Sequence, residues 1–129
     1  MLPRGVAIEQ IRILLVDLSR LVGEMVERAV AGQKDMVVVG RATTVGELVE
    51  RARETAPDVV VAGFHDSRLP AAYLELLLEH PRMKVLGLHE REGQAWLYEL
   101  RPEQIEIGEV SPDDVVHTIR EAAQRTLLR

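Results

Sequence analysis

Apolar and polar positions along this chain fall into short alternating blocks. Ile11 to Val16 is a run of branched residues and predicts a strand. Leu21, Val22, Met25, Val26, Ala29 and Val30 then recur at helical spacing. Met36 to Val39, ended by Gly40, predicts a second strand. Thr44 and Glu47 have the spacing of a capping box and open a helix whose apolar face is Val45, Leu48, Val49 and Ala52. Val59 to Ala62 is a third strand. Leu74, Leu77 and Leu78 mark a third helix, stopped at His80-Pro81. Met83 to Leu88 is a fourth strand, and residues 92–100 are expected to form a fourth helix stopped at Arg101-Pro102. Ile105 to Ile107 reads as a short fifth strand. Ser111-Pro112-Asp113-Asp114 starts the last helix, with a capping Ser, Pro at the first helical position and acids in the first turn.

Five strand–helix units in this order predict an α/β fold: three layers, a doubly wound parallel sheet of five strands, (βα)5. The strands are apolar on both faces, which requires helices on both sides of the sheet. Residues 1–9 read as a leader and residues 10–129 as one domain. Ligands of such sheets bind beyond the carboxyl ends of the strands. That places Asp17 and Leu18, Gly63 to Asp66, Leu88 to Glu90, and Gly108 with Glu109 at the edge where chemistry would occur.

Composition narrows the functions open to this fold. The 129 residues are 47% apolar and 29% charged with a formal charge of −5. This domain is therefore not expected to hold nucleic acid or an anionic membrane by itself, since both require a basic surface. There is no cysteine, which excludes disulfide and thiolate chemistry and suits a cytoplasmic setting. Ile13 to Val16 is far too short for a membrane span.

Four stretches, IRILLVDLSRLV, PDVVVAG, HPRMKVLGL and EVSPDDVVHTIREAAQR, together resemble the receiver domain of bacterial two-component response regulators, the CheY-like superfamily with a flavodoxin-like fold. The resemblance spans roughly residues 11–125 and is nearest to receivers that precede a helix-turn-helix output domain. It implies a phosphorelay role: a phospho-accepting Asp at the end of strand three, two acids after strand one that help hold magnesium, a Thr or Ser ending strand four, and a Lys ending strand five. Such transfer needs an in-line carboxylate and cations around a charge-rich transition state.

Carried over residue by residue, the set is stripped. Asp17 matches the first acid. Leu18 stands in place of the second, and an alkyl group does not bind a hard cation. Gly63 stands at the acceptor position, His89 at the hydroxyl position and Gly108 at the lysine position. The chain's lysines, Lys34 and Lys84, both precede the end of strand four. Asp66, in DSRLP, is the alternative acceptor, but it lies three residues beyond the register set by PDVVV, about 10 Å of extended chain.

The expectation is thus a degenerate receiver, not an enzyme, without a phospho-acceptor and with magnesium binding lost or weak. Asp17 alone is a weak metal candidate. His65, His89 and Asp17 are the residue types that could hold zinc if they converged. Gly63 and Gly108 are expected to leave room for a small ligand in the vacated pocket. The acids at 90 and 92 read as solvated charges. Partners are expected to be another protein or a second copy. The resemblance directs them to the face of helix four, strand five and helix five, with Trp96 and Tyr98 as anchors. Leu21, Val22 and Met25 on helix one form a second docking candidate, although their spacing also suits burial. Two other readings stand beside this one. The chain could be an active phosphorelay receiver using Asp66, or the regulatory half of a helix-turn-helix transcriptional regulator. A flavodoxin-like small-molecule binder is the alternative of another class; against it, Asp17-Leu18-Ser19-Arg20 replaces a Ser/Thr/Gly-rich phosphate loop.

Overall fold

The computed structural model describes residues 10–65, 68–99 and 105–127. Strands β1 (Ile11–Val16), β2 (Met36–Ala42), β3 (Val59–Gly63), β4 (Lys84–His89), β5 (Gln94–Tyr98) and β6 (Ile105–Glu109) form one sheet in the order β2-β1-β3-β4-β5-β6. Helices α1 (Arg20–Ala31), α2 (Val45–Thr55), α3 (Ala71–Glu79) and α4 (Pro112–Leu127) cover it. The leader, residues 1–9, lies outside the described residues.

The alternation of side chains along each strand divides the core into two layers. Leu14, Val16, Val60 and Ala62 join Leu48, Ala52, Tyr73, Leu76 and Leu77 under α2 and α3. Ile13, Leu15, Val59 and Val61 join Val26, Val30, Val115 and Ile119 under α1 and α4. This double burial is why the first four strands read as continuous apolar runs. The caps predicted at Thr44 and Ser111 are present, and Ser19 adds one at the start of α1. Ser19 Oγ accepts from the Val22 N–H at 3.2 Å and Thr44 Oγ1 from the Glu47 N–H at 3.2 Å. Ser111 and Asp114 exchange bonds at the start of α4.

The three-layer α/β class holds, but the strand count does not. Where a helix is expected over residues 92–100, Gln94–Tyr98 is a strand antiparallel to β4, with Gly87 opposite Trp96 and Val85 opposite Tyr98. Gly93 makes the difference. Its φ of +64° is in the left-handed region that only glycine enters freely, and it closes a tight turn in which the N–H groups of Glu92 and Gly93 both donate to the His89 carbonyl. The expected helix stop at Arg101-Pro102 lies outside the described residues. β6 pairs antiparallel with β5, so it runs parallel to β4 but is displaced from it by one intervening strand. The result is a mostly parallel sheet of six strands rather than five parallel ones.

Candidate functional site

The carboxyl ends of β1, β3 and β4 meet along one edge of the sheet. Asp17 follows β1 and donates its N–H to the Ala42 carbonyl at 2.9 Å. Its backbone then turns through φ +51° into the Ser19 cap of α1. This turn drives the Asp17 carbonyl against the end of β3. A Cβ added at Gly63 would overlap that oxygen and lie 3.3 Å from the carbonyl carbon and 3.5 Å from Glu90 Oε2. The position expected for an acceptor is therefore filled by backbone. A side chain at residue 63 thus has no room in the Cβ direction, although Gly63 lines an open cleft of about 600 Å³ at this edge.

Phe64 takes the opposite course and enters the core. Its N–H donates to Leu88 O at 2.9 Å. Its ring stacks edge-on with Tyr73 at 5.2 Å between centroids and lies 5.7 Å from the ring of Tyr98. Gly87 makes space for it, since a Cβ there would come within 2.6 Å of the Phe64 ring. Burial pushes the Tyr73 phenol well above its ordinary pKa, and the nearby charge of Asp17 adds to the shift. Leu18, at the second-acid position, packs against the layer beneath α1 and α4, so it serves the core.

His89 ends β4 with its ring over the other face. Its Nε2 lies 2.5 Å from the His65 carbonyl oxygen, so Nε2 carries the proton and donates it. Nδ1 is buried without a hydrogen-bond partner, and the Trp96 ring approaches edge-on at 6.5 Å. His89 thus engages His65 through backbone, not ring to ring. Among the described residues no three His, Asp or Glu side chains converge as a metal site. Asp66 lies outside the described residues.

Glu90, expected to be a solvated charge, reaches across the edge instead. Its Oε2 accepts the Ser19 N–H at 2.8 Å, joining residues 71 apart in the chain. The cleft between these loops encloses about 600 Å³ and is lined by three carboxylates, Asp17, Glu90 and Glu92, against one guanidinium, Arg91. That balance is the reverse of what a transferred phosphoryl group requires.

Gly108 sits in β6 at φ +90° with open space where a Cβ would go, but it does not line the cleft at Asp17 and Gly63 where room was expected. The backbone conformation itself calls for glycine, because a lysine at this φ would be strained. With β5 interposed, the position is also about two strand spacings, roughly 10 Å, from β4.

The docking candidates also shift. Tyr98 is buried and Trp96 half-buried, both on β5 over the α2–α3 layer. The face expected to begin with a helix four contains no such helix among the described residues. On α1, Val26 and Val30 are core, whereas Leu21 is 67% exposed and Met25 36% exposed. Reading that face as core fails for these two. A crevice of about 110 Å³, lined by Val22, Met25, Leu88 and Val115 among others, opens beside them.

Sequence reasoning also missed a buried ion pair. Lys84 Nζ stands 3.2 Å from Glu99 Oε1, with both side chains at least nine-tenths buried. The pair links the start of β4 to the residue after β5, one step beyond the Val85–Tyr98 pairing. Only the antiparallel strand brings the two together.

No family model matches the sequence, and no curated protein matches it. Solved structures do. The response regulator domain of Thermotoga maritima CheB is 25% identical with a TM-score of 0.63, over 90% of this chain and 98% of that one. The isolated receiver domain of Salmonella enterica RcsB, in the presence of phosphomimetic BeF3−, is 12% identical with a TM-score of 0.51, over 62% of each chain. A further RcsB response regulator structure from Salmonella typhimurium, at 12% identity and a TM-score of 0.59, covers 93% of this chain and 67% of its own. This chain has the receiver-type fold. That fold accounts for the strand order β2-β1-β3-β4 and the position of the top edge; β5 is where this chain departs from five strictly alternating strand–helix units. No helix among the described residues is long and apolar enough to cross a membrane.

Proposed function

We propose that this receiver-type domain signals by protein–protein contact and does so independently of phosphorylation, without enzymatic activity or a resident cofactor. The observation that carries this reading is the meeting of Gly63 with the Asp17 backbone. A phosphoryl acceptor needs a carboxylate at the end of β3, and here a backbone carbonyl fills the first step of any such side chain. Leu18 packed inward, Gly108 strained against replacement and the acid-rich cleft all support it, because each removes a separate source of metal binding or charge stabilisation. Magnesium binding at Asp17 alone is lost or weak on this reading.

The partner is another protein or a second copy in the cytoplasm of a bacterium, and the domain serves a regulatory chain, including one that controls transcription. The decisive experiment exposes the purified domain to acetyl phosphate or beryllofluoride with magnesium and follows it by intact-mass spectrometry and amide NMR. No adduct and no magnesium-dependent shift are expected. A magnesium-dependent phosphoryl adduct would overturn the reading, and one mapped to Asp66 would restore the displaced-acceptor alternative.

A further inference from the structure

We propose that the Glu90 carboxylate is a built-in occupant of the receiver edge, an internal anion that straps the β4–β5 turn to the start of α1 and fixes this edge in one state. The inference deepens the phosphorylation-independent reading and rests on it.

The geometry has four parts. Glu90 Oε2 accepts the Ser19 N–H at 2.8 Å. The same oxygen lies 3.5 Å from the place a Gly63 Cβ would take, so the carboxylate hangs over the vacated acceptor position. The first turn of α1 contains no acidic residue and begins with Arg20. An anion favoured at this helix end is therefore supplied from 71 residues away rather than locally. Finally, the turn that carries Glu90 is held at its base. The Glu92 and Gly93 N–H groups both bond to the His89 carbonyl, and the His89 ring ties to the His65 carbonyl. The loops after β1, β3 and β4 are thereby joined through two hydrogen bonds, one of them to a carboxylate. Where an external anion would have to arrive and depart to change such an edge, this chain carries its own.

The test uses the whole chain with Glu90→Ala and Glu90→Gln. Glu90 is exposed, so both variants are expected to keep the native circular dichroism spectrum. Amide exchange at Ser19 should accelerate about tenfold in Glu90→Ala, as for loss of a hydrogen bond to a charged acceptor. Glu90→Gln, which keeps an acceptor oxygen without the charge, should fall between Glu90→Ala and wild type. Inorganic phosphate should shift the Ser19 amide resonance in Glu90→Ala and leave wild type unchanged. Unchanged exchange at Ser19 in Glu90→Ala would overturn the strap. A phosphate titration silent in Glu90→Ala would overturn the role of internal anion. Phosphorylation of the wild-type chain, by contrast, would sink the underlying functional reading whatever these variants show, so the two failures are distinguishable.

Discussion

The backbone carbonyl of Asp17 stands where the first side-chain atom of residue 63 would have to go. Gly63 has no left-handed backbone angle to explain it, since Asp17 and Ala56 are the non-glycine residues and Gly93 and Gly108 the glycines with positive φ among those described. The constraint on Gly63 is one of space. An acid returned to residue 63 would have to find room for its first side-chain atom. Here the chain has closed over the position, and the obstacle is backbone rather than the end of a flexible side chain.

Gly63→Asp is accordingly expected to destabilise the fold without creating a phospho-acceptor. Forcing atoms into a filled site typically costs about 1–3 kcal/mol. Gly63→Ala should lose a comparable amount, because the clash begins at Cβ, and this comparison separates overlap from charge. Urea unfolding measures the loss, and acetyl phosphate with magnesium checks for an adduct. Gly63→Asp at wild-type stability, or carrying a phosphoryl group, would contradict the geometry.

The buried pair Lys84–Glu99 provides a second expectation. Both groups have left water, so removing the Glu99 carboxylate strands the Lys84 ammonium. Glu99→Leu alone should cost about 3–5 kcal/mol, whereas Glu99→Leu combined with Lys84→Met should fall within about 1 kcal/mol of wild type or exceed it. The double-mutant cycle in urea yields the coupling directly. Additive losses would show that the 3.2 Å contact is not an energetic unit.

How much of this was legible in the sequence follows from the range of each interaction. The first four strands were readable because sheet burial on both faces leaves valines and leucines in unbroken runs, as in Val59–Val60–Val61. Helix starts at Thr44 and Ser111 were accessible because capping acts over three residues. Ala95-Trp96-Leu97-Tyr98 was not, because four apolar residues in a row satisfy either period. The arbiters were the φ of Gly93 and an antiparallel pairing with β4 that runs from His89–Gln94 to Val85–Tyr98. At the edge, positions 17, 18, 63, 89 and 108 could be named from strand ends. What fills the space at Gly63 could not, because Asp17 lies 46 residues before it in sequence and Glu90 reaches Ser19 from 71 residues away. Phe64 beside an apparently empty Gly63 had one local clue, a glycine at position 87 inside an otherwise bulky strand, which marks close approach by another group.

Acid stability is the last expectation, and its sign follows from Asp35. This residue precedes β2 and accepts a two-pronged bond from Arg120 of α4, Nε to Oδ2 at 2.7 Å and Nη2 to Oδ1 at 2.9 Å. Hydrogen bonding from the guanidinium holds the Asp35 carboxyl below its ordinary range, against a smaller opposing effect of burial. A carboxyl whose folded pKa is depressed stabilises the fold above its unfolded pKa, about 3.9, and that contribution disappears as the pH falls through the folded value. Both side chains remain about one-third exposed, so solvent screening limits the pair to roughly 0.5–1 kcal/mol. Asp35→Asn should therefore unfold at lower urea than wild type at pH 7, and the two midpoints should converge as the pH is lowered from about 5 toward 2. Raising the pH above 7 should leave the gap unchanged, since Asp35 is already ionised in both states and Arg120 keeps its charge. A gap that persists at pH 2, or widens there, would show that Asp35 acts through something other than its ionised carboxylate.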